Sequence, residues 1–185
     1  MLHSLLPSIQ PGKLPYLPKV VIETSLDRDI DDLTKEVLTV KRLAVVDDAY
    51  THEAMGQPVV KALHAFGGQH ITFGDPPRAD DENVEYIRAQ GRSCDALVAV
   101  GSGTINDLCK YASFLDDKPY IVFPTAASMN GYLSANASIT INGYKKTVAA
   151  RMPLAVFCDA SVIAAAPARL AKSGLGDTLA RSTAQ

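Results

Sequence analysis

The sequence predicts an α/β fold with a doubly wound parallel sheet. Short apolar runs alternate with segments of helical spacing along most of the chain. The runs lack the polar alternation of a half-exposed strand, which is typical of strands buried on both faces. The 185 residues are 47% hydrophobic and 21% charged, as in globular proteins and unlike disordered ones. A parallel sheet with helices on both faces accounts for all three observations.

The predicted elements follow one another in a regular order. A β-branched run at 19–24 indicates a first strand, and the polar segment after it indicates a weak surface helix. A strand–helix unit then recurs three times. Thr51 is the predicted N-cap of the first helix in these units, and Gly67 is its stop signal. The remaining predicted strands are 42–48, 69–75, 95–101, 118–124 and 154–159, and the helices are 51–68, 79–91 and 104–115.

Two segments depart from this rhythm. Residues 137–150 alternate around Asn142-Gly143, a strong turn signal because both residues tolerate positive φ, so we expect a β-hairpin at the sheet's edge. The alanine-rich tail predicts helical segments broken at Pro167 and Gly174. We therefore expect an α/β domain over 1–160 and the first helices of a second, helical domain over 161–185.

Composition narrows the function classes. The chain has 18 Lys+Arg against 20 Asp+Glu, a net charge of -2, without the basic excess of a nucleic-acid-binding surface. No segment reaches the length of a membrane span, and no cationic region precedes the apolar run at the N-terminus. The three cysteines show no C-x-x-C spacing, which favours free thiols. We expect a cytoplasmic protein without nucleic-acid or membrane partners.

The segment after the strand at 95–101 is a candidate anion site. Residues 101–104 read Gly-Ser-Gly-Thr and lead into a helix, whose N-terminus offers free N–H groups. Such a loop lies where ligands of open α/β sheets bind. A bare G-x-G also makes a plain tight turn, and both interpretations stay open. A capping-box-like bond to Thr104 explains Asp107, and Lys110 is interpreted as a solvated helix charge.

Acidic and histidine residues supply further candidates. Asp47 and Asp48 end a strand, where a carboxylate can bind the ribose hydroxyls of an adenine dinucleotide and repel the 2′-phosphate of NADP. Capping of the following turn is the alternative for either residue. The histidines show no metal-ligand spacing to one another or to Asp177, so we interpret them as structural or solvated. They are His3, His52, His64 and His70.

Four motifs together carry a family resemblance: VAVGSGTINDLCKY, PTAASMNGYLS, INGYKKT and SGLGDTLA. With these in order, roughly residues 19–185 resemble the superfamily of iron-containing alcohol dehydrogenases, glycerol dehydrogenases and dehydroquinate synthases. The chain is most similar to the glycerol-1-phosphate dehydrogenases. The resemblance implies a Rossmann-like dinucleotide-binding domain and a metal-assisted, NAD-dependent oxidoreductase of a polyol or polyol phosphate, with NADP less favoured.

The resemblance also implies roles for individual residues. Either Lys145 or Lys146 faces phosphate or cofactor. Asn130 stands where glycerol and glycerol-1-phosphate dehydrogenases usually carry an aspartate, which weakens the transfer of substrate identity. Asn130 and Lys146 are the catalytic candidates. The implied cofactor-binding residues are Asp48, Gly101, Ser102, Gly103, Thr104, Asp107, Thr125, Ser128 and Leu133.

Asp177 is implied to be a ligand of Zn²⁺ or Fe²⁺, completed in the family by two histidines of a helical C-terminal domain. No histidine follows His70, so we expect the chain to be the N-terminal part of a longer protein and inactive alone. A dehydroquinate synthase-type cyclase is one alternative. A catalytically incomplete nucleotide-binding module is another, and homo-oligomer formation stays open.

Overall fold

The computed structural model describes residues 17–26 and 29–183. Among them, eight strands and seven α-helical segments alternate much as predicted. The strands are β1 (Lys19–Glu23), β2 (Leu43–Asp48), β3 (Gly68–Phe73), β4 (Ala96–Gly101), β5 (Tyr120–Pro124), β6 (Asn136–Ile141), β7 (Tyr144–Ala149) and β8 (Ala155–Asp159). The α-helices are α1 (Ile30–Val37), α2 (Ala49–Thr51), α3 (Gln57–Ala62), α4 (Asp81–Gln90), α5 (Gly103–Leu115), α6 (Ala160–Ala165) and α7 (Ala168–Thr183).

Six strands form one parallel sheet in the order β1-β8-β5-β4-β2-β3. Every residue of β2, β4 and β5 is buried, which explains their unbroken apolar sequences. Alternate residues of β2 face opposite sides: Ala44 and Val46 pack with α4, α5 and β6, whereas Leu43 and Val45 pack with α1 and α3. The predicted doubly wound α/β sheet is therefore confirmed.

The helical run after β2 begins earlier than predicted. It starts at Ala49, continues through a π-helical turn over His52–Gly56, α3 and a 3₁₀ turn, and ends at Gly67 with φ of 66°. The N-cap is Asp48, whose Oδ1 accepts the amides of Tyr50 at 3.0 Å and Thr51 at 2.9 Å. The prediction of Thr51 as N-cap is wrong because its hydroxyl instead accepts the Asp48 amide, completing a capping box. The Gly67 stop is confirmed.

The predicted hairpin is confirmed, but its predicted position at the sheet's edge is wrong. Strands β6 and β7 pair antiparallel around Asn142 and Gly143, which have φ of 53° and 80°. They form a separate two-stranded sheet, whereas β1 and β3 are the edges of the large one. The hairpin joins the adjacent central strands β5 and β8, so it lies over α5, where Ile139 is fully buried.

The tail bends once rather than twice. Helix α6 ends before Pro167, as predicted, but α7 runs through Gly174, so the predicted break there is wrong. A Cβ at position 174 would lie 2.1 Å from the carbonyl oxygen of Ala127. The glycine therefore allows the helix to approach that loop closely. Among the described residues, no helix combines the length and apolar character needed to cross a membrane.

Candidate functional site

A groove of about 800 Å³ opens at the carboxyl ends of β2 and β4. The chain leaves β2 toward β3 at one edge and leaves β4 toward β5 on the other side, so the two connections diverge at this point. Such a switch point leaves a crevice where ligands of open α/β sheets bind. Asp48 lines one side of the crevice, and Ser102, Thr104 and Thr125 line its base. Four predicted cofactor residues are thus brought together.

The glycine loop joins β4 to α5 at the base of the groove. Gly101 pairs with Pro124, and a Cβ at position 101 would lie 2.7 Å from Cβ of Ile105, so tight packing requires this glycine. Ser102 is the N-cap of α5, yet within the part of the chain that the structure describes its side chain makes no capping hydrogen bond to this 13-residue helix. Its first-turn amides, of which that of Gly103 makes only a long hydrogen bond to Ser128 Oγ, and the positive end of its dipole therefore favour an anion in the groove.

Gly103 and Ser128 are brought together beside this helix start. The Gly103 amide lies 3.4 Å from Ser128 Oγ, a long hydrogen bond. A Cβ on Gly103 would lie 3.1 Å from the Met129 sulfur, so the loop after β5 packs directly on the glycine loop. Leu133, by contrast, is 43% exposed and does not line the groove.

Asp48 caps the helix after β2 and also lines the groove. Its two capping bonds end on Oδ1. Among the described residues no hydrogen bond to Oδ2 is present, and Asp48 lines the groove. One carboxylate oxygen thus fixes the helix start, while the other has no hydrogen-bond partner among the described residues.

Lys110 and Asp107 hold the hairpin and the loop after β5 against α5. Lys110 is fully buried, and its Nζ donates to the carbonyl oxygens of Gly131 at 2.7 Å and Asn136 at 3.1 Å. Asp107 Oδ2 accepts the Ser138 amide at 3.0 Å. Burial lowers the pKa of the Lys110 ammonium, against the opposing effect of Asp107.

These contacts correct two interpretations. Lys110 as a solvated charge is wrong, because the hairpin covers this face of α5 and three oxygen acceptors compensate the buried ammonium. The capping role for Asp107 is also wrong, since its carboxylate bonds to Ser138. Asp107 does not line the groove, so its contacts give no support to cofactor binding.

Asn130 and Asp177 meet on the other side of the loop after β5. The Asn130 amide donates to Asp177 Oδ2 at 2.8 Å, and Asn130 Nδ2 donates to the Asp177 carbonyl oxygen at 3.1 Å. Arg181 Nε in turn donates to Asn130 Oδ1 at 3.0 Å. Asn130 therefore positions Asp177. Lys146 is exposed on β7 and does not line the groove.

The donors around Asp177 do not complete a catalytic metal centre. A catalytic zinc takes three protein ligands and keeps one open position. Within residues 17–26 and 29–183, the group of three or more His, Cys, Asp or Glu donors that could hold a metal is Asp47, His52 and His70, and Asp177 is not in it. Among the described residues, Asp177 is therefore a single carboxylate at the position predicted for the metal.

Asp47 lies in a different environment from Asp48. It is fully buried, does not line the groove and accepts from His52 Nδ1 at 2.8 Å and His70 Nε2 at 2.9 Å. Of the two ribose candidates, only Asp48 thus lines the groove. The interpretation of the histidines as structural or solvated stays a prediction for His52 and His70, and tertiary contacts bring both residues to Asp47 although sequence spacing keeps them apart.

The far wall of the groove was not predicted from the sequence. It is formed by the corner between α6 and α7, with Ser161 and Val162 on one side and Leu170 on the other. Arg169 is the single Lys or Arg among the residues described as lining the groove. The predicted break at Pro167 marked the corner, but nothing in the local sequence indicated that it folds over the sheet.

Comparison with known proteins agrees with this architecture. A family model described as iron-containing alcohol dehydrogenase matches residues 21–167. Glycerol-1-phosphate dehydrogenase (NAD(P)+) of Bacillus subtilis is 33% identical over 77% of this chain and 38% of its own length. The enzyme of the same name from Thermococcus sibiricus is 36% identical over 91% of this chain and 49% of its own.

Solved structures show the same likeness. The crystal structure of glycerol dehydrogenase from Schizosaccharomyces pombe superimposes with a TM-score of 0.75 and 25% identity, covering 88% of this chain and 42% of that one. The chain therefore spans less than half the length of these relatives. The resemblance and the Rossmann-like fold predicted from the motifs are both confirmed. The chain belongs to the iron-containing alcohol dehydrogenase family.

Proposed function

We propose that the groove binds a nicotinamide dinucleotide and that the chain serves an NAD(P)-dependent oxidoreductase of a polyol or polyol phosphate. The observation that carries the proposal is the uncapped N-terminus of α5 at the switch point of the sheet. The favoured reaction is the interconversion of dihydroxyacetone phosphate and glycerol 1-phosphate. The curated relatives carry the corresponding name, and their greater length makes the whole activity a proposal.

The pyrophosphate is assigned to the base of the groove. The first amides of α5, at Gly103 and Thr104, and the positive helix end favour an anion there. Arg169 supplies a full positive charge from the far wall. An anion held between a helix N-terminus and a guanidinium receives hydrogen bonds from both, which favours a phosphate over a neutral ligand.

The adenosine ribose is assigned to Asp48. We assign its Oδ2 to accept from the ribose hydroxyls, while Oδ1 stays bonded to the helix start. A fixed carboxylate repels the 2′-phosphate of NADP, so NAD is the preferred cofactor. We therefore expect selectivity to depend on this one side chain.

The reacting end is assigned to the loop after β5. Thr125 is nearly buried at the groove, and Ser128 contacts the glycine loop, which supports assigning both to orient the nicotinamide. From there the loop leads to Asn130 and Asp177. We assign Asn130 to positioning and Asp177 to one ligand position of Zn²⁺ or Fe²⁺; the other ligands lie outside the donors that the described residues provide.

In the proposed reduction, a bound dihydronicotinamide would supply a hydride to the carbonyl carbon of the ketone, and a proton would be added to its oxygen. The chain's contribution is to bind and orient the dinucleotide, which converts the transfer into a reaction between fixed partners. The boundary near residue 160, a cytoplasmic location and a role for Lys146 stay predictions.

Calorimetric titration of the chain with NAD+ and NADP+ tests the cofactor assignment. We expect NAD+ to bind more tightly, and Asp48→Asn to reduce the difference. A folded chain that binds neither cofactor would contradict the groove's assignment. If the chain binds NAD+, turnover assays with dihydroxyacetone phosphate and NADH test the reaction, whereas turnover of another sugar phosphate without net NADH consumption would favour the cyclase alternative.

A further inference from the structure

Asp47, His52 and His70, here called the histidine cluster, converge from three elements. In the β2–β3 register, Val45 pairs with His70 and Asp47 pairs with Thr72. Side chains two residues apart share a face of a sheet, so Asp47 and His70 point to the same side. This side is covered by the helical run whose π-helical turn carries His52. Turns of this kind occur frequently at functional sites.

The donor atoms of the cluster already have a ligand-like arrangement. His52 Nδ1 lies 2.8 Å from Asp47 Oδ2, and His70 Nε2 lies 2.9 and 3.0 Å from the two carboxylate oxygens. One donor atom from each of the three residues can be chosen so that all three atoms lie within 4.8 Å of one another. Bonds of about 2.0–2.1 Å in tetrahedral geometry place donors about 3.3 Å apart. A metal needs only a small opening of the cluster.

The surroundings of Asp47 favour a cation. The carboxylate is fully buried, and no Lys or Arg of residues 17–26 and 29–183 forms an ion pair with it. Burial of a carboxylate is costly unless it is paired or coordinates a metal. The imidazoles are 35% and 30% exposed, so an ion can reach the cluster from solvent.

Gly56 leaves the space that the cluster occupies. A Cβ at this position would lie 2.3 Å from Asp47 Oδ2 and 2.9 Å from His52 Nδ1. The backbone at Gly56 has φ of -62°, which any residue adopts. The glycine is therefore needed for room around the donor atoms and not for its conformation.

We propose that Asp47, His52 and His70 form a divalent transition-metal site of the Zn²⁺ type. Two imidazole nitrogens and one carboxylate oxygen suit Zn²⁺, Co²⁺ and Cu²⁺ better than Mg²⁺ or Ca²⁺. Three protein ligands leave a coordination position for water. A bound ion ties β2, β3 and the π-helical turn together and stabilises the folded chain by mass action.

Metal titration of the 185-residue chain after treatment with chelator tests the site. Calorimetry with ZnCl₂ is expected to show one site, lost or weakened more than about 100-fold in His52→Ala and His70→Ala, since loss of a ligand's hydrogen-bond partner alone costs about 10–100-fold. His64→Ala removes a histidine outside the cluster, and Asp177→Asn removes the carboxylate at the other candidate position. Both variants are expected to bind like the wild type.

Two results would overturn the site: a folded wild-type chain that binds no Zn²⁺, or cluster variants that both bind Zn²⁺ as tightly as the wild type. If circular dichroism shows that these variants do not fold, Cu²⁺ electron paramagnetic resonance of His3→Ala decides the question, since a histidine third from a free N-terminus itself binds Cu²⁺ through nitrogen. Coupling to two imidazole nitrogens is expected, and a spectrum without nitrogen coupling contradicts the assignment.

Discussion

Two adjacent carboxylates at the end of β2 occupy different chemical environments. Asp48 caps a helix through one oxygen and lines the groove, whereas Asp47 is buried between two imidazoles. The difference follows from the pleat of the strand, which turns consecutive side chains to opposite faces. Identical residues in sequence thus belong to separate sites. The proposed dinucleotide and metal functions should therefore be separable by mutation.

The largest expected effect is on the packing beneath Asp47. Gly56→Ala should destabilise the fold by about 1–3 kcal/mol, because its Cβ would clash with the Asp47 carboxylate. Gly176→Ala is the matched control: this helical glycine has no atom within 4 Å of an added Cβ, and alanine there should stabilise by up to about 1 kcal/mol. Urea unfolding of both variants measures the difference. Equal stabilities would contradict the crowding at Gly56.

Replacing each of the two carboxylates by alanine should separate an effect on the free energy of unfolding from an effect on NAD+ binding. Asp47→Ala should cost about 1–2 kcal/mol in chelator, because two imidazole donors lose their buried acceptor, and should leave NAD+ affinity unchanged. Asp48→Ala should cost about 0.5–2 kcal/mol through its cap and also weaken NAD+ binding about tenfold. Unfolding curves and calorimetry report the two effects. A loss of NAD+ affinity in Asp47→Ala would mean that the two sites are coupled.

Arg169 tests the far wall of the groove. Arg169→Ala should weaken NAD+ about tenfold by removing a charge-assisted bond to phosphate, with little change in stability. Arg181→Ala is the control. Arg181 lies on the same helix as Arg169, but it contacts Asn130 and does not line the groove. Calorimetry on both variants distinguishes them. If both lose affinity equally, Arg169 has no specific role.

The smallest expected effect concerns a third strand-end carboxylate, Asp159. Burial raises its pKa, but bonds from the Ser161 hydroxyl and from backbone amides outweigh this and hold the pKa below its ordinary value. A folded-state pKa below the unfolded one adds stability above the unfolded value, and this stability is lost as pH falls through the folded value. Urea unfolding from about pH 5 to about pH 3 should show a steeper loss for wild type than for Asp159→Asn. Parallel curves would contradict the shift.

The sequence was sufficient where structure depends on local patterns. Apolar runs predicted the sheet, and Gly67 and Pro167 marked the ends of helical segments correctly. Prediction from the sequence was wrong where contacts between residues distant in the chain determine the structure. Lys110 is buried because a hairpin lies over α5, and Gly174 admits a close approach that no local signal reveals.

The residues of the candidate sites also fall into those that local sequence predicts and those that tertiary contacts bring together. Gly101, Ser102 and Thr104 follow a strand and precede a helix, so a general rule places them at the carboxyl edge of the sheet. The histidine cluster depends on parallel register between β2 and β3 and on a π-helical turn, neither of which spacing in the chain reveals. The far wall depends on a fold-back of α6 and α7 over that edge.

The most direct test of the central claim is a crystal structure of the chain with NAD+. We predict the pyrophosphate at the N-terminus of α5, within hydrogen-bond distance of the Gly103 and Thr104 amides, and the adenosine ribose on Asp48. A dinucleotide bound elsewhere, or an empty groove at saturating NAD+ in a folded chain, would contradict the account.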